Sequence, residues 1–116
     1  MIPKVIARLE KHAREKYADT CREVRVGAKG PYLYVDAMRI GKSGEEDWLV
    51  RLCRLEFIWM GEFRWGFWFY SYAQERYERS VTMDGRFDGT PEECFDCAAF
   101  AHLTGGDTSR INGTVY

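Results

Sequence analysis

The cysteines offer the first candidate chemistry. Cys94-Phe95-Asp96-Cys97 sets two thiols about one helical turn apart, with Cys21 and Cys53 far away in sequence. Such a pair could exchange disulfides or supply half of a tetrahedral zinc site. Redox work needs a thiol that ionises easily, and Glu92 and Glu93 just ahead of Cys94 oppose the thiolate. Zinc would require Cys21 and Cys53 to converge on the pair, because His12 and His102 lack ligand spacing. The preferred reading is four reduced, buried cysteines, with a thiol or structural-zinc role for Cys94 and Cys97 kept as an alternative. No cofactor is expected.

Enzyme signatures are missing from the sequence. It has no G-x-S-x-G, H-E-x-x-H, phosphate loop or G-x-G-x-x-G. His102 lies five residues from Cys97 and eight from Cys94, off the i+4 spacing that would pair them on one helix. The chain is therefore read as non-enzymatic.

Aromatic residues are the second candidate. All four Trp lie between Trp48 and Trp68, and nine of the eighteen aromatics lie between Phe57 and Tyr72. If Gly61-Glu62 makes a two-residue turn, alternation places Cys53, Leu55, Phe57 and Trp59 beside Trp68, Tyr70 and Tyr72. Val50, Leu52, Ile58, Trp65, Phe67 and Phe69 then share the opposite face. Both faces are apolar, more than a one-sided antiparallel sheet requires. Helices would cover one face, and the other would dock a partner, with Trp65, Phe67 and Phe69 as ring anchors and Arg54 as a cationic rim. A homodimer or another protein partner is expected. An alternative is single-stranded nucleic acid, with bases stacked on the rings and phosphates held by a basic first helix. A further alternative buries the hairpin in a thick internal core.

These residues must be positioned by a short list of elements. Ile2, Val5, Ile6, Leu9, Ala13 and Tyr17 form one helical stripe behind Pro3, which predicts an amphipathic helix to about residue 18. From Arg22 the period becomes two, and Gly27 to Pro31 turns the chain into Tyr32–Ile40. The polar loop 41–47 leads to the aromatic hairpin, Trp48–Met60 and Phe63–Tyr72, and a further β stretch follows near Tyr77–Met83. Thr90-Pro91-Glu92-Glu93 is a capping box with proline at the first helical position, so a second helix runs through Phe95, Ala98, Ala99 and Leu103.

The expected fold is a single α+β domain over residues 1–104, with about five antiparallel strands, both helices on one face, and a flexible tail over 105–116. Net charge is -1, with 12 Lys/Arg and 9 Asp/Glu in residues 1–60 against 5 and 9 in 61–116. That balance falls short of the basic footprint usual for nucleic-acid domains. A hydrophobic fraction of 46% excludes disorder, and charges interrupt every apolar run, which excludes a membrane helix. Arg8, Glu10 and Lys11 break up the start, so no export signal is read and a cytoplasmic location is expected.

The run Arg64-Trp65-Gly66-Phe67-Trp68-Phe69-Tyr70, followed by Gly85-Arg86-Phe87-Asp88-Gly89-Thr90-Pro91-Glu92-Glu93, resembles a family of short bacterial proteins. In these an aromatic hairpin also precedes a Gly-Thr-Pro-Glu-Glu helix start. The resemblance spans about residues 48–100 and implies a bacterial origin. The family carries no assigned activity, so it transfers no functional residue.

Overall fold

Residues 1–60 and 63–104 are described by a computed structural model. The turn expected at Gly61-Glu62 and the tail expected over 105–116 lie outside the described residues. The first helix, α1 (Ile2–Lys16), buries Val5, Leu9 and Ala13 of the expected stripe and keeps proline in its first turn. Next come strands β1 (Cys21–Lys29) and β2 (Tyr32–Arg39), where Gly30 takes a φ of +59 at their tight turn. The aromatic hairpin is β3 (Trp48–Met60) and β4 (Arg64–Ser71). The short strands β5 (Arg76–Arg79) and β6 (Asp88–Gly89) both pair with β4.

The second helix, α2 (Pro91–Ala99), starts on the capping box. Thr90 accepts a hydrogen bond from the Glu93 amide at 3.1 Å, and the Glu93 carboxylate accepts from the Thr90 amide at 2.8 Å. Gly89, just before it, is required by close packing, since a Cβ there would stand 2.9 Å from the Thr82 methyl. Beyond Ala99 the helix widens into a π turn, Phe100–Thr104.

The chain is thus an α+β domain with an antiparallel sheet in the order β1-β2-β3-β4-β5. Sequential neighbours pair from β1 to β5, and β6 returns to β4. One core joins Val5, Leu9 and Ala13 of α1 and Cys94, Phe95, Ala98 and Ala99 of α2 to a single face of the sheet. The helices run side by side in the same direction. Arg8 meets Glu92 and His12 meets Asp96, and each partner pair advances by one helical turn.

Register corrects the expected division of the hairpin. A two-residue turn at 61–62 would set Leu55 opposite Trp68, but the structure sets Leu55 opposite Phe67 and Cys53 opposite Phe69. Met60 pairs with Arg64 and Phe57 with Trp65, so the irregularity between them, where Trp59 takes a φ of +64, moves the register by two residues and leaves the rest of the hairpin one residue away from the expected pairing. Such a slip exchanges the faces of a whole strand. A second irregularity, between Val35 and Asp36 on β2, leaves Leu52 of β3 without a cross-strand partner. Leu52 and Cys53 are both buried in the core, so the alternation of β3 changes phase there. Through these two devices Val50, Leu52, Cys53 and Leu55 join Trp65 and Phe67 on the helix side. Trp65 is 2% exposed and Phe67 1%. Both are core residues and not surface anchors, and Phe69 packs half-buried against the same core.

Candidate functional site

The sheet face without helices is built from a different residue set. Cross-strand pairing aligns Gly27, Tyr34, Arg54, Trp68 and Arg79 in one row across five strands. The next row runs Arg25, Asp36, Arg51, and Tyr70 pairs with Tyr77 beyond it. On the other side, Lys29, Tyr32 and Glu56 align.

Arg54 sits at the centre of this face. Its guanidinium carbon lies 4.0 Å from the Tyr32 ring centroid, 4.4 Å from Trp68, 5.2 Å from Tyr77 and 5.9 Å from Tyr34. Each is within the range at which a ring's negative face attracts a cation. The rings also pack edge to face on one another, with Tyr32 against Trp68 at 6.2 Å and Tyr34 against Tyr77 at 5.3 Å. Glu56 fixes the indole, accepting a hydrogen bond from Trp68 Nε1 at 2.9 Å. The layer therefore shields itself. Tyr32, Tyr34, Trp68 and Tyr77 are half-buried although neither described helix covers them.

Electrostatics on this face are less well balanced. Arg54 Nε and Asp36 Oδ1 are both buried, and neither has a hydrogen-bond partner among the described residues. Burial raises the Asp36 carboxyl above its ordinary value, against the opposing pull of Arg51 and Arg25. Desolvation likewise pushes the Tyr77 phenol up to about 12, reinforced by the nearby Asp36.

Of the four residues expected to form a binding surface, Arg54 alone lies on the uncovered face. Trp65, Phe67 and Phe69 lie behind the sheet, toward the helices. The basic first helix is also on that far side, separated from the ring layer by the sheet itself. The sequence does not mark Tyr32, Tyr34 and Tyr77 as binding residues. Tyr32 and Tyr34 have the i, i+2 spacing that marks one face of a strand, but grouping them with Arg54 depends on cross-strand register.

A second polar cluster joins the helices. Asp96 Oδ1 accepts a hydrogen bond from Tyr17 at 2.6 Å and lies 2.7 Å from His12 Nε2, and Oδ2 accepts from Lys16 at 3.1 Å. Burial would raise the Asp96 carboxyl, but these partners outweigh it and hold the group below the usual carboxylate range. The arrangement clamps α1 to α2. No local signal marks it in the sequence, because the partners are 79 to 84 residues apart.

All four cysteines are free thiols, with Cys21, Cys53 and Cys94 buried and Cys97 half-buried. Burial raises the Cys53 and Cys94 thiols well above their ordinary value, and raises Cys97 and Cys21 as well. Among the described residues, no group of three His, Cys, Asp or Glu side chains is placed to hold a metal ion. None of the described helices is long and apolar enough to cross a membrane.

An apolar cleft of about 390 Å³ opens between residues 80–83 and the end of α2, lined by Phe67, Phe69, Val81, Met83, Cys97 and Phe100 among others. His102 borders this region. It stacks on Phe69 at 4.5 Å and donates from Nε2 to the Tyr70 carbonyl at 2.7 Å. Comparison with known proteins returned no matching family model, curated protein or solved structure.

Proposed function

We propose that this chain is a small non-enzymatic protein-interaction module of the bacterial cytoplasm that self-associates through the helix-free face of its sheet. The observation that carries the reading is Arg54, held among Tyr32, Tyr34, Trp68 and Tyr77 on a face that neither described helix covers. Aromatic rings and arginine are the residue types that anchor protein interfaces, because they bring large rigid contact area with a polar edge. The face also carries both signs of charge, Arg51, Arg54 and Arg79 with Asp36 and Glu56, as a two-fold interface between identical surfaces requires.

Nucleic acid is less well served by this geometry. Arg54 already occupies the ring faces on which bases would stack, and α1 lies on the opposite side of the sheet from them. Light scattering on the purified chain tests the proposal. A dimer is expected, with Trp68→Ala and Arg54→Ala shifting the mass to a monomer while the circular dichroism spectrum is retained. A wild-type chain that stays monomeric to its solubility limit overturns it.

A further inference from the structure

We infer that β1, an outer strand of the sheet, pairs with β1 of a second copy of this chain, antiparallel about a two-fold axis at Val26. The contact lies on a different surface from the face-to-face association proposed above and leaves that face free. β1 ends the strand order and, among the described residues, pairs only with β2. It has nine residues, against four in β5 at the other end of the order, so it offers the longer edge. The two-residue turn closes on Lys29 opposite Tyr32, so Arg25, Gly27 and Lys29 turn their backbone groups toward β2. Val24, Val26 and Ala28 therefore direct theirs outward, where another strand can take them.

Charge selects the register. An irregularity between Cys21 and Glu23 limits the regular edge to residues 23–29, with Val26 at its middle. A two-fold axis there sets Val26 against Val26, Val24 against Ala28, Arg25 against Gly27 and Glu23 against Lys29. Lys29 is exposed and has no ion pair among the described residues, whereas Glu23 holds only Arg25 of its own strand, at 2.9 Å. Opposite charges thus meet at both ends of the paired run. A Cβ on Gly27 would meet nothing within 4 Å, which leaves room for the facing Arg25 side chain. An axis at Arg25 would instead oppose Arg25 to Arg25. An axis at Val24 would draw the irregular end into the ladder, with Arg22, which already holds Asp47. On the helix side, a groove of about 180 Å³ between α1 and the start of β1 is lined by Glu10, Ala13, Arg14 and Val24 among others. It receives Ala28 of the second copy beside Val24. The axis passes through the sheet, so the helices of both copies stay on one side and their ring layers on the other. Seven paired residues bury less than the ~1,200 Å² of a standard interface, so the contact builds up with concentration.

Sedimentation velocity on the full chain, at low salt and over a concentration series, tests the contact. The wild-type mass is expected to climb from the face-to-face dimer toward a tetramer, and Trp68→Ala, which lacks the face contact, from monomer toward dimer. Glu23→Lys and Lys29→Glu each set two like-charged pairs across the edge and are expected to weaken that step about tenfold. The double variant Glu23→Lys/Lys29→Glu restores opposite charges and is expected to recover the wild-type step. Both positions are exposed, so these variants report on pairing without disturbing the core. Val26→Pro removes an outward amide that β2 does not use and is expected to abolish the step. A wild-type mass that does not rise with concentration, a double variant as weak as the single ones, or wild-type association in Val26→Pro with a retained circular dichroism spectrum overturns the inference. A wild-type chain that passes only from monomer to dimer, in a step weakened by the charge variants and untouched by Trp68→Ala, supports the edge contact and removes the face-to-face one.

Discussion

Leu52 and Cys53 are consecutive residues of β3, yet both side chains are completely buried on the helix side of the sheet. In a regular strand one of them would point to the opposite face. Their shared direction marks the point where the hairpin stops being apolar on both sides and gathers its aliphatic residues into one core. The second face is left to tyrosine, tryptophan and arginine.

Trp65 and Phe67 are the sharpest test of that division. With both rings in the core, Trp65→Ala and Phe67→Ala should each cost about 3–5 kcal/mol. Trp59, 87% exposed at the far end of β3, should cost no more than about 0.5 kcal/mol on replacement by alanine. Urea unfolding of the three variants measures the contrast. Near-equal stabilities would return Trp65 and Phe67 to the surface.

Asp96 should govern acid stability at the helix clamp. Its folded carboxyl lies below the unfolded value of 3.8, so its contribution is present above that pH and is lost as pH falls through the folded value. Asp96→Asn should cost about 1–3 kcal/mol at neutral pH, the range for leaving buried partners unsatisfied. The variant should also lose less stability than the wild type on acidification. Thermal unfolding followed across the acid range checks both.

His102 acts at higher pH. Burial lowers its folded value from 6.5, partly offset by the bond to the Tyr70 carbonyl. The unfolded chain then takes up the proton first, so stability should fall as pH drops below 6.5. His102→Gln keeps a donor for the carbonyl and removes the titration. Its melting temperature should be flatter than that of the wild type just below that pH, and identical slopes would exclude His102 as the source.

Thiol reactivity should follow burial. Cys97, half-buried at the apolar cleft, should react first with an aromatic disulfide reagent, whereas Cys53 and Cys94 should react only at the rate of unfolding. Mass spectrometry of partly labelled protein identifies the order. Fast labelling of Cys94 in native buffer would contradict its placement beneath the sheet.

Much of the fold was legible from short-range signals. The stripe behind Pro3, the capping box at Thr90 and the change to period two at Arg22 are each decided by neighbours within one or two turns of chain. The hairpin itself was legible in the same way. Its faces were not, because one irregular residue reverses everything beyond it and leaves no mark in composition.

By itself the sequence determined the elements, their antiparallel association and the presence of two apolar surfaces to dispose of. Only the tertiary structure decided which residues meet: Arg54 with Tyr32, Tyr34, Trp68 and Tyr77, and Asp96 with His12, Lys16 and Tyr17. The physical reason is register. A strand's side chains alternate with a period of two, so a bulge at Leu52 and a slip near Trp59 reassign whole faces. The energy that selects those irregularities comes from packing against helices whose contacting residues lie far along the chain.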